Sequence, residues 1–229
     1  MPCQAFTLIE LLVVVAIVAI LIAILLPSLR QARTLTQRAM CMGNLRQVHV
    51  AVEMYHQDYR DTYPCAADPV APKVWLWMGR GWRGLVEPYF DTAVSKDNPS
   101  ALFCPEDPSN NYESTSYAYS MVFYHSPQQI NAISDKAEIY YPAVPPASLP
   151  QREQDVAGPA HKLLIGEWTS NHEPVENDKG WWCWAGQRIF LLADGQVRPQ
   201  DAKDILPARD GLPDANLTAD GIQGRDVSH

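Results

Sequence analysis

Glu10 places a carboxylate inside the most apolar stretch of the chain, Phe6 to Leu26, which carries no other charge. A helix needs roughly 20 apolar residues, at ~1.5 Å each, to cross the ~30 Å hydrocarbon core of a bilayer, and this run is long enough. An acid one turn into such a helix is costly and persists where it meets a partner. The chemistry that Glu10 calls for is therefore charge neutralisation by a cation. Other groups of reactive type are weaker. His49, Glu53 and His56 fall at i, i+4 and i+7, one helix face able in principle to hold a metal; a solvated or subunit-facing polar stripe is the plainer reading. His161, Glu167, His172 and Glu173 fall in no recognised catalytic spacing, and G-x-S-x-G, H-E-x-x-H and phosphate-loop patterns are all absent. No catalytic residue, metal or cofactor is assigned. Asp201, Asp204, Asp210, Asp214 and Asp220 could collect calcium, a weak reading because the D-x-[DN]-x-[DN]-G loop is missing.

The elements that must position these groups follow from pattern. Leu35, Met42, Leu45, Val48, Val52, Tyr55 and Tyr59 recur mainly at spacings of three and four, so the apolar helix continues as an amphipathic one to about Tyr59, kinked at Pro27. A short helix is expected around Trp82 to Tyr89. Strands are expected near Ser116 to Tyr124, Glu138 to Tyr141 and Leu163 to Trp168, with a hairpin at Arg188 to Val197. In that hairpin Asp194 and Gly195 form a two-residue turn, because Gly tolerates positive φ. Pro142 to Gly158 reads as a surface loop, and Pro199 to His229 as a polar, poorly ordered tail. The fold class is α+β: a long N-terminal helix on a small antiparallel sheet.

Composition narrows the partners. The chain has 229 residues, a net charge of -8 and few basic residues after the first 60 positions, which excludes a phosphate-binding surface and nucleic acid as a partner. Nineteen prolines, twelve glycines and seven tryptophans describe a loop-rich domain. Trp75, Trp77, Trp82, Trp181, Trp182 and Trp184 are assigned to the core as apolar bulk, with a stacking platform for a sugar or a partner as the alternative. The ordinary secretory signal is a poor match, because no basic residue precedes Phe6 and Pro27-Ser28-Leu29-Arg30 offers no small-x-small site.

Ala5-Phe6-Thr7-Leu8-Ile9-Glu10-Leu11-Leu12 resembles the prepilin motif of type IV pilin-like proteins. The resemblance implies cleavage between Ala5 and Phe6 by a prepilin peptidase and methylation of the new Phe6 amine. It also implies pairing of Glu10 with the Phe6 ammonium of a neighbouring pilin-like subunit. It further implies a single pass through the inner membrane with the C-terminal domain in the periplasm; Arg30, Arg33 and Arg38 follow the span, so charge alone favours the opposite orientation. Cys41 to Gln47, Phe103-Cys104-Pro105-Glu106-Asp107-Pro108, Ser116-Tyr117-Ala118-Tyr119-Ser120, Leu163 to Glu167 and Arg188 to Val197 resemble a planctomycete-type pseudopilin subgroup with a closing H-X9-DG motif. The histidine of that motif is replaced here by Trp184.

The domains expected on this basis are a leader (1–5), a spanning helix (6–26), its amphipathic continuation (27–60), a periplasmic α+β domain (61–198) and an acidic tail (199–229). The implied function is a structural subunit of a type II secretion or type IV pilus-like fibre. The alternative is a membrane-anchored carbohydrate-binding or hydrolytic domain with a pilin-type leader. Cys3 lies in the leader, leaving Cys41, Cys65, Cys104 and Cys183, which allow three pairings. The matched segments imply Cys41 with Cys104, and hence Cys65 with Cys183. No C-x-x-C spacing supports a thiolate zinc site.

Overall fold

Helix α1 runs Leu8–Asp58 with Pro27 inside it. Pro27 has no N–H to offer, so the carbonyl of Ala23 lacks its usual partner, yet the helix continues, and the Ser28 hydroxyl donates to the Leu25 carbonyl at 2.8 Å beside the gap. The computed structural model describes residues 8–65, 80–90, 100–107, 116–133 and 147–228, so Ala5, Phe6, Trp75, Trp77 and the strand expected at 138–141 lie outside the described residues. The chain divides into two units, Met1–Ala39 and Met40–His229.

In the first unit every residue from Leu8 to Thr36 is exposed, the large apolar side chains included. Such a face stays apolar only where something other than water surrounds it. By length and composition this helix is able to cross a membrane.

In the second unit α1 buries Cys41, Leu45, Val48, Val52 and Tyr55, the three-and-four spacing that turns one stripe inward. Leu35 and Tyr59, expected on that stripe, are exposed. The stripe shares one core with a four-stranded antiparallel meander, β1 (Tyr117–Tyr119), β2 (Leu163–Glu167), β3 (Gln187–Leu192) and β4 (Val197–Asp201), in sequence order across the sheet. All five residues of β2 are buried, as a strand covered on both faces requires. Gly166 pairs with Phe190 across β2 and β3, and a Cβ there would lie 2.1 Å from the Phe190 ring, so the aromatic occupies the space a side chain would need.

The short helix expected around Trp82 to Tyr89 is present: α2 spans Arg80–Val86 and tightens into a 3-10 turn at Glu87–Tyr89. Other local expectations are corrected. The strand expected to reach Tyr124 ends at Tyr119, and a 3-10 turn follows at Met121–Phe123. A second short helix, α3 (Pro127–Ala132), starts at a Ser126 capping box with Gln129. The hairpin between β3 and β4 has a three-residue loop, Ala193 to Gly195, closed by the Leu192 amide on the Gln196 carbonyl at 2.8 Å. Gly195 takes φ of 85° there, and the Asp194 carboxylate accepts from the Gln196 amide at 3.0 Å, so the bulged loop of a three-residue hairpin replaces the tighter turn. The His49 ring lies where a Gly195 Cβ would be, which ties the turn to α1.

The largest correction is the C-terminal segment. Residues 199–228 are packed rather than loose: Ile205, Leu217, Ile222 and Val227 enter the core, and Ile205 bridges Val227. Its acids serve as local acceptors. Asp214 accepts from the Asn216 amide at 2.9 Å and from the Trp182 indole at 3.0 Å, while the Asp220 amide donates to Asn131 at 3.0 Å.

Burial pushes the Asp214 carboxyl up to about 7, with the Asp210 charge adding to the rise and the Asn216 and Trp182 donors opposing it. Between roughly pH 4 and pH 7 the folded chain thus holds a proton that the unfolded chain has released. The stability Asp214 contributes is full below about pH 4 and is lost as pH rises through about 7. Unfolding of the full chain in detergent, by urea at pH 5 and pH 8, is expected to show lower stability at pH 8 and a smaller pH dependence in Asp214→Asn. Equal pH dependence in both chains would show that Asp214 titrates as it does in the unfolded state.

Candidate functional site

The first site is the amino end of α1. Glu10 lies in its first turn and is exposed, followed by the uninterrupted apolar face described above. A carboxylate in that position is costly to place in lipid and favours a cation beside it.

The second site is inside the domain, where α1 meets the residues that follow the 3-10 turn Ser100–Leu102 and the end of β2. Cys41 on α1 and Cys104 are joined in a disulfide, both fully buried. Cys104 is held by its amide, which donates to the Ser116 hydroxyl at 2.9 Å, and the neighbouring Phe103 carbonyl accepts from Asn44 of α1 at 2.7 Å. Glu167 ends β2 with no exposure, and one of its oxygens accepts the Ile189 amide of β3 at 2.8 Å. The other faces His172 Nε2 at 2.9 Å and Asn171 at 3.4 Å. His172 Nε2 is also 3.6 Å from Cys104 Sγ. A buried carboxylate is tolerable when hydrogen bonds meet it on all sides, and these donors supply them.

Asp178 organises the loop that carries His172. Burial works against its charge, but the Ser170 and Gly180 amides and the Arg188 guanidinium at 2.8 Å outweigh that and hold its pKa below the usual carboxylate range. Beyond it, Trp168, Trp181 and Trp182 pack together with Phe190, ring centroids 5.0–5.8 Å apart.

The other residues singled out in the sequence are dispersed. Cys65 and Cys183 remain thiols, contrary to the pairing expected for them. Tyr55 holds the backbone of Cys65 beside α1, whereas the Cys183 sulfur accepts the Ala185 amide in the loop before β3, so each has its own surroundings. Burial pushes the Cys65 thiol up to about 11. The His49, Glu53 and His56 stripe is not solvated throughout: His56 is buried edge-on against Tyr63 at 4.6 Å, and that burial lowers its pKa against the pull of Glu53. Trp82 and Trp181 are core residues, while Trp184 is 40% exposed. Glu173 accepts the Gln187 amide. Among the described residues the grouping whose ligand atoms lie within reach of one ion is Cys41, Cys104, Glu167 and His172; the tail aspartates are not part of it.

Sequence reasoning did not connect Glu167 and His172 to the cysteines. Their five-residue separation is local, but positions 41 and 104 reach them only through tertiary packing in the shared core.

Residues 1–26 match the family model described as the prokaryotic N-terminal methylation motif. The match supports a pilin-like protein of the prepilin type, which implies processing by a prepilin peptidase and assembly with other pilin-like subunits. No curated protein and no solved structure matches the chain.

Proposed function

We propose that the chain is a pseudopilin, a structural subunit of a type II secretion or type IV pilus-like fibre. It is anchored in the inner membrane by α1, with its α+β domain in the periplasm. The observation that carries this reading is the methylation motif on a helix whose exposed apolar face is long enough to span a bilayer. Cleavage between Ala5 and Phe6 frees an amine, methylation keeps it cationic, and Glu10 of an adjoining subunit neutralises it. Two charges that are costly apart in lipid cancel together, so insertion into the fibre is favoured over remaining alone. The segments that resemble the H-X9-DG subgroup support the same reading, with Trp184 in the histidine position.

Mature protein is expected to lack residues 1–5 and to carry a methylated Phe6; intact Met1 in the fibre contradicts the reading. Glu10→Gln is expected to reduce incorporation by roughly tenfold or more, since it leaves the Phe6 ammonium of the adjoining subunit in lipid without its countercharge. Unchanged incorporation would remove the electrostatic basis of the proposal. The carbohydrate-binding alternative loses support from the burial of Trp82 and Trp181.

A further inference from the structure

Two sulfurs, a carboxylate oxygen and an imidazole nitrogen lie within 4.8 Å of one another at Cys41, Cys104, Glu167 and His172. We propose that this cluster is a redox-gated site for a zinc-class transition-metal ion. Bridged, the sulfurs are closed to metal. Reduced, two thiolates, one carboxylate and one imidazole make a four-donor cage. The inference goes beyond the filament reading and does not rest on it.

The donor set selects the ion class. Thiolates and an imidazole suit zinc-like ions, whereas calcium and magnesium require oxygen donors. Bonds of ~2.0–2.3 Å in a tetrahedron set donor separations of roughly 3.3–3.8 Å. His172 Nε2 is already 3.6 Å from Cys104 Sγ and 2.9 Å from Glu167 Oε1. The remaining change is separation of the two sulfurs, which cleavage of their bond allows. The supporting shell is present as well. The Ile189 amide fixes one Glu167 oxygen at 2.8 Å and the Trp181 indole donates to the Glu167 carbonyl at 2.8 Å, so the carboxylate that faces the cluster is held in place. The His172 side chain is 1% exposed, and its Nδ1 makes no hydrogen bond among the described residues, so no second bond prevents the ring from turning toward an ion.

The chemistry balances with a dithiol as reductant. Two electrons and two protons convert the bridge to two thiols, and the dithiol leaves as its cyclic disulfide. Ion binding then releases both thiol protons to solvent. The absence of a C-x-x-C motif does not oppose this, because the donors converge from α1, a loop and the end of β2 rather than from one turn.

The test uses the full chain in detergent with Cys3→Ala, Cys65→Ala and Cys183→Ala, so that Cys41 and Cys104 are the sole thiols. After anaerobic reduction and removal of the dithiol, Co2+ is expected to give thiolate charge-transfer and tetrahedral ligand-field bands at one ion per chain. Zn2+ should displace it. The oxidised chain should give none. His172→Ala should weaken Co2+ binding at least tenfold, and X-ray absorption of the unsubstituted zinc form should count two sulfur and two lighter ligands, a readout that needs no variant to fold. Bands of equal strength in the oxidised chain, no bands after reduction, or a first shell without two sulfurs would each overturn the proposal.

Discussion

Replacing Cys41 and Cys104 together by alanine is expected to lower the unfolding free energy of the domain by about 4 kcal/mol. The bridge joins positions 63 residues apart, and in the chain-entropy account the gain grows with the logarithm of the loop it closes, from about 3 kcal/mol for 15 residues to about 4.7 for 100. Alanine avoids burying new hydroxyls at two fully buried positions. The bridge also ties α1 to the loop that carries Phe103, whose carbonyl holds Asn44. Urea unfolding of the metal-free, oxidised chain against the double variant measures the difference. A change below about 1 kcal/mol would mean that the unfolded chain already keeps these segments close, which removes the entropic argument.

The pattern of what could be read in advance follows from the range of the interactions. Helix α1 was legible because an unbroken apolar run and then a three-and-four spacing are local signals. Strands β2 and β3 were legible for the same reason, an apolar run on each side of polar or glycine-containing segments, with Asp194 and Gly195 marking the turn. The three-residue length of that turn was not, since it is decided by the register of Leu192 against Gln196 and by the contact of Gly195 with His49. The C-terminal segment misled for a different reason. Ile205, Leu217, Ile222 and Val227 follow neither period, because Leu217 and Ile222 sit in separate 3-10 turns, Ile205 caps a third and Val227 enters by its isolated bridge to Ile205. Its aspartates look solvated in composition, yet Asp201, Asp210, Asp214 and Asp220 accept hydrogen bonds. The pairing of Cys65 with Cys183 came by elimination, which assumes that every thiol must be bridged; burial beside Tyr55 serves Cys65 instead. Glu167 and His172 gave no motif because the third and fourth members of their cluster come from far along the chain.

The packed C-terminal segment also concentrates the second large effect. Asp226→Ala is expected to cost about 3–5 kcal/mol, because it removes one partner of a buried ion pair and leaves the other charged or forced to neutralise. Lys162 is fully buried with its ammonium 3.3 Å from the Asp226 carboxylate. Burial lowers the Lys162 pKa, and the facing carboxylate only partly restores it. The same carboxylate accepts the Leu163 amide at 2.7 Å and the Thr218 hydroxyl, so β2 and the 3-10 turn at Ala215–Leu217 are both fastened to it. Asp226→Asn keeps a hydrogen-bonding oxygen but removes the countercharge, and is expected to lose less than the alanine variant. Lys162→Met combined with Asp226→Ala should recover much of the loss, since an apolar replacement of both charges removes the desolvation penalty and leaves only the Leu163 amide and the Thr218 hydroxyl to be satisfied. Urea unfolding of Asp226→Ala, Lys162→Met and the double variant closes the cycle and yields the coupling, and hydrogen exchange at Leu206, whose amide donates to the Asp226 carbonyl at 2.7 Å, reports whether the segment loosens first. If the double variant is no more stable than Asp226→Ala, the loss belongs to the hydrogen bonds of the carboxylate rather than to its charge. The segment would then be held as a capped turn and not by an ion pair.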